Sequence, residues 1–142
     1  MIEFAVVASL FFLLLFGVMD YGRAFFVQMN LQQAVQDGGR FASTGNHLPD
    51  PNHPGQNLSR IQSIIATVQQ EAVIPDVSNL QISSVQGGSN NAGGPGDTVT
   101  VSLITNLPLM TPMIGRLFPN GAYTFTSSVS FKNEPFDPNN TN

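Results

Sequence analysis

Phe4-Ala5-Val6-Val7-Ala8-Ser9-Leu10-Phe11-Phe12-Leu13-Leu14-Leu15-Phe16-Gly17-Val18-Met19 is the stretch whose reading decides the fold. None of its sixteen residues is charged, and eleven are Phe, Val or Leu. At about −0.3 to −0.6 kcal/mol each at a helix centre, those eleven favour membrane entry by roughly 5 kcal/mol. One carboxylate, Glu3, stands ahead of the run, and Asp20 and Arg23 follow it. A secretory signal carries a basic leading segment and a small-residue cleavage site. Here no basic residue comes before Arg23, and the run continues into more helix-compatible sequence. The expectation is a retained helix that lives first in lipid and later against protein.

Working outward, no proline interrupts residues 2–44. A helix of that length extends roughly 65 Å, about twice a hydrocarbon core. Its first half is apolar all round and wants lipid or neighbouring helices. Its second half is amphipathic and wants a domain on one side. There Phe25, Phe26, Met29, Ala34, Val35, Gly38, Phe41 and Ala42 alternate with Gln28, Asn30, Gln32, Gln33, Gln36, Asp37 and Arg40. Asp20 and Arg23 can pair on one face, as can Asp37 and Arg40. Gly17, Gly22, Gly38 and Gly39 each cost about 1 kcal/mol of helix propensity relative to Ala. They also allow close helix approach or a local break. Gly45 and Asn46 form a plausible stop.

The remaining chain leaves room for one domain of about 95–100 residues. Only 10% of the 142 residues are charged, and the net charge is −4. The five cations, Arg23, Arg40, Arg60, Arg116 and Lys132, are scattered. Nucleic-acid binding wants them clustered, so that class is set aside. Cysteine is absent, which excludes a disulfide framework, thiolate metal sites and thiol catalysis.

Residues 47–56 hold three prolines and a glycine and read as a loop. A second helix is expected over about 58–73, with Leu58, Ile61, Ile65, Val68 and Ala72 as one apolar stripe and Ile64 beside it. Asn57, or Ser59 with Gln62, can cap its start, and Pro75 ends it. Three strands are expected near 80–86, 98–105 and 122–131. In the last, Tyr123, Phe125, Ser127, Val129 and Phe131 alternate with Thr and Ser. Residues 87–97, with five glycines, read only as the loop of a hairpin. Thr111-Pro112 can open a short helical turn. The expected fold class is α+β: a long N-terminal helix packed by a second helix and a small antiparallel three-stranded sheet. The expected division is residues 1–46 as a long N-terminal helix, apolar enough at its start to cross a membrane, and residues 47–142 as a globular head. The head is expected to pack through Phe41, Ile61, Ile65, Val68 and Phe125, leaving residues 1–22 bare.

A long apolar helix, an amphipathic continuation and a small α+β head together resemble type IV pilins and their relatives. Ile2-Glu3-Phe4-Ala5-Val6-Val7 resembles the start of the TadE-like family of tight-adherence pilus proteins. Gly17-Val18-Met19-Asp20-Tyr21-Gly22-Arg23 resembles that family's Gly, acidic, aromatic, Gly, Arg stretch. Ala34-Val35-Gln36-Asp37-Gly38-Gly39-Arg40-Phe41-Ala42 is similar to its Ala-rich segment, and Phe125 to Pro135 to its closing strand. The resemblance implies a structural pilin-like subunit, held in the bacterial inner membrane and then assembled into an extracellular filament. Its partners would be copies of itself or other pilins, with no nucleic acid and no small-molecule substrate. On that reading, Glu3, Phe4, Phe11, Phe12, Phe16, Asp20 and Arg23 are the residues expected to take part in filament assembly. In a bundle of low dielectric an unpaired carboxylate costs several kcal/mol. A neighbour's N-terminal ammonium would neutralise Glu3 and fix axial register. The reading from a different class is a single-pass, membrane-anchored extracytoplasmic binding domain that does not polymerise.

Other motifs carry less. The aromatics of the apolar run have the spacing of packing residues, not of an electron path. His47, Asp50 and His53 lie in a Pro-rich loop and read as solvated side chains, so no metal is assigned. Asn57-Leu58-Ser59 and Asn139-Asn140-Thr141 are glycosylation triplets by pattern, common by chance in an Asn-rich chain. No nucleophile–base set, phosphate loop or paired carboxylate site appears, so neither enzyme activity nor a cofactor is expected.

Overall fold

Helix α1 runs unbroken from Ile2 to Ser43 in the computed structural model, which describes residues 2–74 and 76–137. All four of its glycines are accommodated without a break. Helix α2 spans Arg60–Glu71, and a short turn, α3, spans Pro112–Gly115. Strands β1 (Leu80–Ser84), β2 (Gly88–Ser89), β3 (Thr98–Pro108) and β4 (Ala122–Lys132) form one antiparallel sheet in the order β2-β1-β3-β4. The expected α+β architecture is present, with a correction: the sheet has four strands. The Gly-rich segment read as loop alone contributes β2, whose Ser89 and Gly88 pair with Ser83 and Ser84. Gly88 has a φ of 74° and a Cβ there meets nothing, so glycine enters the return strand where a larger residue would be strained.

The chain divides into two compact units, one of residues 1–29 with 105–125 and one of residues 30–104 with 126–142. The division falls inside α1, β3 and β4.

In the larger unit, α1 buries Leu31, Ala34, Val35, Gly38, Gly39 and Ala42. Small residues let other elements close in. A Cβ on Gly38 would lie within 2.3 Å of Val68 Cγ2, and one on Gly39 within 2.6 Å of the Phe131 ring. Helix α2 begins with a full capping box: Ser59 Oγ accepts from the Gln62 amide, and the Gln62 side chain accepts from the Ser59 amide. Of the two caps the sequence allows, the structure uses this one. The helix turns Ser63, Ile64 and Val68 inward and leaves Ile61 and Ile65 half-buried. The expected stripe is therefore rotated toward Ile64. The helix ends at Glu71, where Asn30 Oδ1 accepts from the Val73 amide at 2.7 Å. Pro75, expected to end it, lies outside the described residues, as does the triplet at 139–141. Strand β1 pairs antiparallel with β3, from Leu80 opposite Leu103 to Ser84 opposite Val99. Ile82, Val99, Val101 and Leu103 face the core.

In the smaller unit, α1 buries Asp20, Ala24 and Val27. Phe25, Phe26 and Met29, expected on the covered face, are exposed instead. The reason is phase. Buried positions recur at 20, 24 and 27, which follows the 3.6-residue period, and the three large residues fall between them. Beside this helix segment, the ends of β3 and β4 bury Thr105, Leu107 and Phe125. Thr111 caps α3 with Pro112 in its first turn, the turn the Thr-Pro pair announces.

Candidate functional site

The first eighteen residues of α1 present almost nothing but apolar side chains to the outside. The most apolar 18-residue window has a mean hydropathy of 2.5, and none of it is buried. Phe4 is 78% exposed, and Phe11, Phe12 and Phe16 are also exposed. Phe12 and Phe16 stack at 6.3 Å between centroids, so these rings touch one another along one helix. The one hydroxyl in the run is satisfied internally: Ser9 Oγ donates to the Ala5 carbonyl at 2.8 Å. By length and composition this helix can cross a membrane. Glu3 is exposed at its start and makes no hydrogen bond or ion pair among the described residues.

At the other end of the run the chain closes on itself. Asp20 is only 4% exposed. Its carboxylate accepts from the Met110 amide at 3.0 Å and the Thr111 amide at 2.9 Å. Two charge-assisted bonds offset the burial of a carboxylate that would otherwise be costly. Arg23 does not pair with Asp20. It donates to the Pro108 carbonyl at 3.1 Å. Both expected i,i+3 pairs, Asp20–Arg23 and Asp37–Arg40, are absent as ion pairs among the described residues. At Asp20 and Arg23, side chains that spacing would allow to pair are taken by backbone groups instead. Gly17 makes room for Ile114, whose Cδ1 would stand 3.2 Å from a Cβ at position 17. The rest of the chain thus first reaches α1 at Gly17 and Asp20, short of the expected residue 22. A cleft of about 390 Å³ lies here, lined by Tyr21, Phe25, Leu109, Phe118 and Tyr123 with Asp20 at its edge.

Residues 1–40 match the family model described as TadE-like protein. No curated protein and no solved structure matches the chain. Glu3, Phe4, Phe11, Phe12, Phe16, Asp20 and Arg23 all fall inside the TadE-like segment. They do not form one cluster. Glu3 stands at one end, the phenylalanines along the side, and Asp20 and Arg23 under residues 108–111. Of the packing residues named from sequence, Val68 and Phe125 are buried, whereas Phe41, Ile61 and Ile65 are half-buried.

The histidine loop does not gather its three side chains. His47 Nδ1 donates to the Leu58 carbonyl at 2.7 Å, whereas His53 Nδ1 meets Asp50 Oδ2 at 2.8 Å. The Asn52 amide, and then His53, hold the Asp50 carboxyl below the usual Asp range. Among the described residues no three His, Cys, Asp or Glu side chains come together as a metal site.

Sequence reasoning missed two pinning residues. Asp97 is buried and accepts from the Gln86 and Thr98 amides. Asn133 is buried and donates to the Ala92 and Gly94 carbonyls at 3.0 and 2.8 Å. Together they hold the Gly-rich segment 92–97 against the chain that leaves β4. Nothing in periodicity marks such residues. The only signal is a lone polar side chain beside a segment rich in backbone groups that need partners.

Proposed function

We propose that this chain is a structural, non-enzymatic pilin-like subunit of a tight-adherence or type IV-like filament. Residues 1–46 serve as membrane anchor and then as filament core, and residues 47–142 form the extracytoplasmic head. The observation that carries the reading is the large exposed apolar surface of residues 2–19 within a TadE-like segment. Such a surface has two stable settings: the lipid of the inner membrane, or the helices of neighbouring copies or other pilins. Lipid tails are as apolar as Leu, so transfer between the settings gains little from hydrophobicity. Close packing and neutralisation of polar groups must drive it. Glu3 supplies the polar term. With no partner among the described residues, its carboxylate can meet a neighbour's N-terminal ammonium in the fibre. Phe4, Phe11, Phe12 and Phe16 supply the packing surface.

Electron microscopy of purified material tests the reading. Fibres made of this chain support it. Monomers in detergent at every concentration favour a single-pass anchored binding domain instead. Glu3→Ala is expected to lower fibre yield while leaving the melting temperature unchanged. Normal fibre numbers from the variant would remove the assembly role of Glu3.

A further inference from the structure

Segment 109–118 carries more exposed apolar surface than a water-facing loop of its length needs. Met110 is 75% exposed, Met113 65% and Leu117 81%. Ile114 faces the other way, onto Gly17. Most of the segment's backbone donors are used. The Met110 and Thr111 amides bond to Asp20. Those of Gly115, Arg116, Leu117 and Phe118 bond to carbonyls of residues 111–115. Pro112 and Pro119 have no amide hydrogen to satisfy. The outer face is therefore apolar in side chains and largely spent in backbone polarity, as a low-dielectric setting requires.

Its depth is set by what it packs on. A crevice bounded by Phe16, Met19, Met110 and Pro112 places the segment beside residues 16–20 of α1. Residues 2–19 rise about 27 Å as a helix, close to the roughly 30 Å of a hydrocarbon core. The segment thus stands at the level where the apolar run ends and the first carboxylate after it begins. Arg116 is exposed on the same segment, where a long cationic side chain can reach anionic headgroups.

We infer that residues 109–118 are a second membrane-contacting element, dipping Met110, Met113 and Leu117 into the outer edge of the bilayer beside α1. The partner is a lipid surface. The inference rests on the reading of α1 as a membrane anchor, and it adds a lipid-binding role to a segment outside the TadE-like match. Methionines suit the task, because flexible side chains adapt to a fluid surface.

The absence of native cysteine makes a direct test clean. Single variants Val7→Cys, Met113→Cys and Leu117→Cys of the full chain are labelled with an environment-sensitive dye. They are reconstituted into vesicles of phosphatidylcholine and phosphatidylglycerol. Spin-labelled lipids quench dye in the bilayer, and aqueous iodide quenches dye in water. Labels at 113 and 117 are expected to lose emission to lipid spin-labelled near the headgroup and to resist iodide. The label at 7 should respond to spin labels deep in the acyl chain. If 7 is quenched by lipid while 113 and 117 answer only to iodide, the second contact is wrong and the anchor stands. If 7 also answers only to iodide, both fall. If 113 and 117 resist both quenchers and become accessible on dilution in lipid, a second copy covers them and the lipid assignment is overturned.

Discussion

Residues 2–19 and residues 30–43 belong to one helix and solve opposite problems. The first stretch carries Phe, Leu and Val on every side, and the chain covers almost none of it. The second carries Ala and Gly on one side, and the chain covers that side completely at Ala34, Val35, Gly38 and Ala42. Where the chain supplies its own partner, small residues set a close approach. Where lipid or other molecules must supply it, large side chains are left facing outward. Between them, Asp20 marks the change. It is the first carboxylate after the run, and it is buried by backbone amides of its own chain.

The contrast breaks most visibly if the first stretch is removed. Deleting residues 1–15 keeps Gly17 beside Ile114 and Asp20 on its two amides. The product is expected to stay in aqueous buffer without detergent and to run as a folded monomer in light scattering. Continued polymerisation, or loss of the folded circular-dichroism spectrum, would show that the bare stretch is not separable.

Much of this was legible in the sequence, for reasons that differ by region. The apolar run announces itself by composition alone, because no soluble surface tolerates sixteen uncharged, mostly large apolar residues. The strands expected at 98–105 and 122–131 follow from strict alternation, and the structure carries the first of them on to Pro108. The Ser59–Gln62 cap is one of the two that the spacing allows, beside Asn57, and the structure selects it. What was hidden is phase and partnership. Phe25, Phe26 and Met29 look like a core stripe, since size dominates a hydrophobicity pattern. The buried positions are the smaller Ala24, Val27 and Leu31. Asp20 and Arg23 look like an ion pair, since helical spacing permits one. Carbonyl and amide groups from residues 108–111 take them instead. Long-range backbone partners leave no periodic trace.

The second largest effect is expected in α2, where phase can be tested by a single step along the helix. Ile64 is fully buried, whereas Ile65 is only half-buried. Ile64→Asp places an unpaired carboxylate in the core and should cost about 3 kcal/mol or more in chemical denaturation. Ile65→Asp can turn its carboxylate toward water and should cost clearly less. Equal losses would mean that the stripe read from sequence spacing, centred on Ile65, describes the packing better than the rotated one.

The smallest effects compare two glycines of α1, and here the comparison predicts opposite signs. Gly38 lies under Val68, and a methyl group there would fall 2.3 Å from Val68 Cγ2. Either that side chain leaves its rotamer or the helices part, so Gly38→Ala should destabilise by about 1–3 kcal/mol despite Ala's better helix propensity. At Gly22 the space a methyl group would take has no neighbour within 4 Å, and the residue is exposed. Gly22→Ala therefore meets no obstacle within the chain and should stabilise the isolated subunit by up to about 1 kcal/mol through propensity alone. Both are read from denaturation of the detergent-solubilised subunit. Gly22 then offers a sharper question, because its cost would appear only where another helix approaches. If Gly22→Ala leaves the subunit at least as stable as before but lowers fibre yield, position 22 is a point of contact between copies. If it lowers neither, position 22 is not a point of contact between copies.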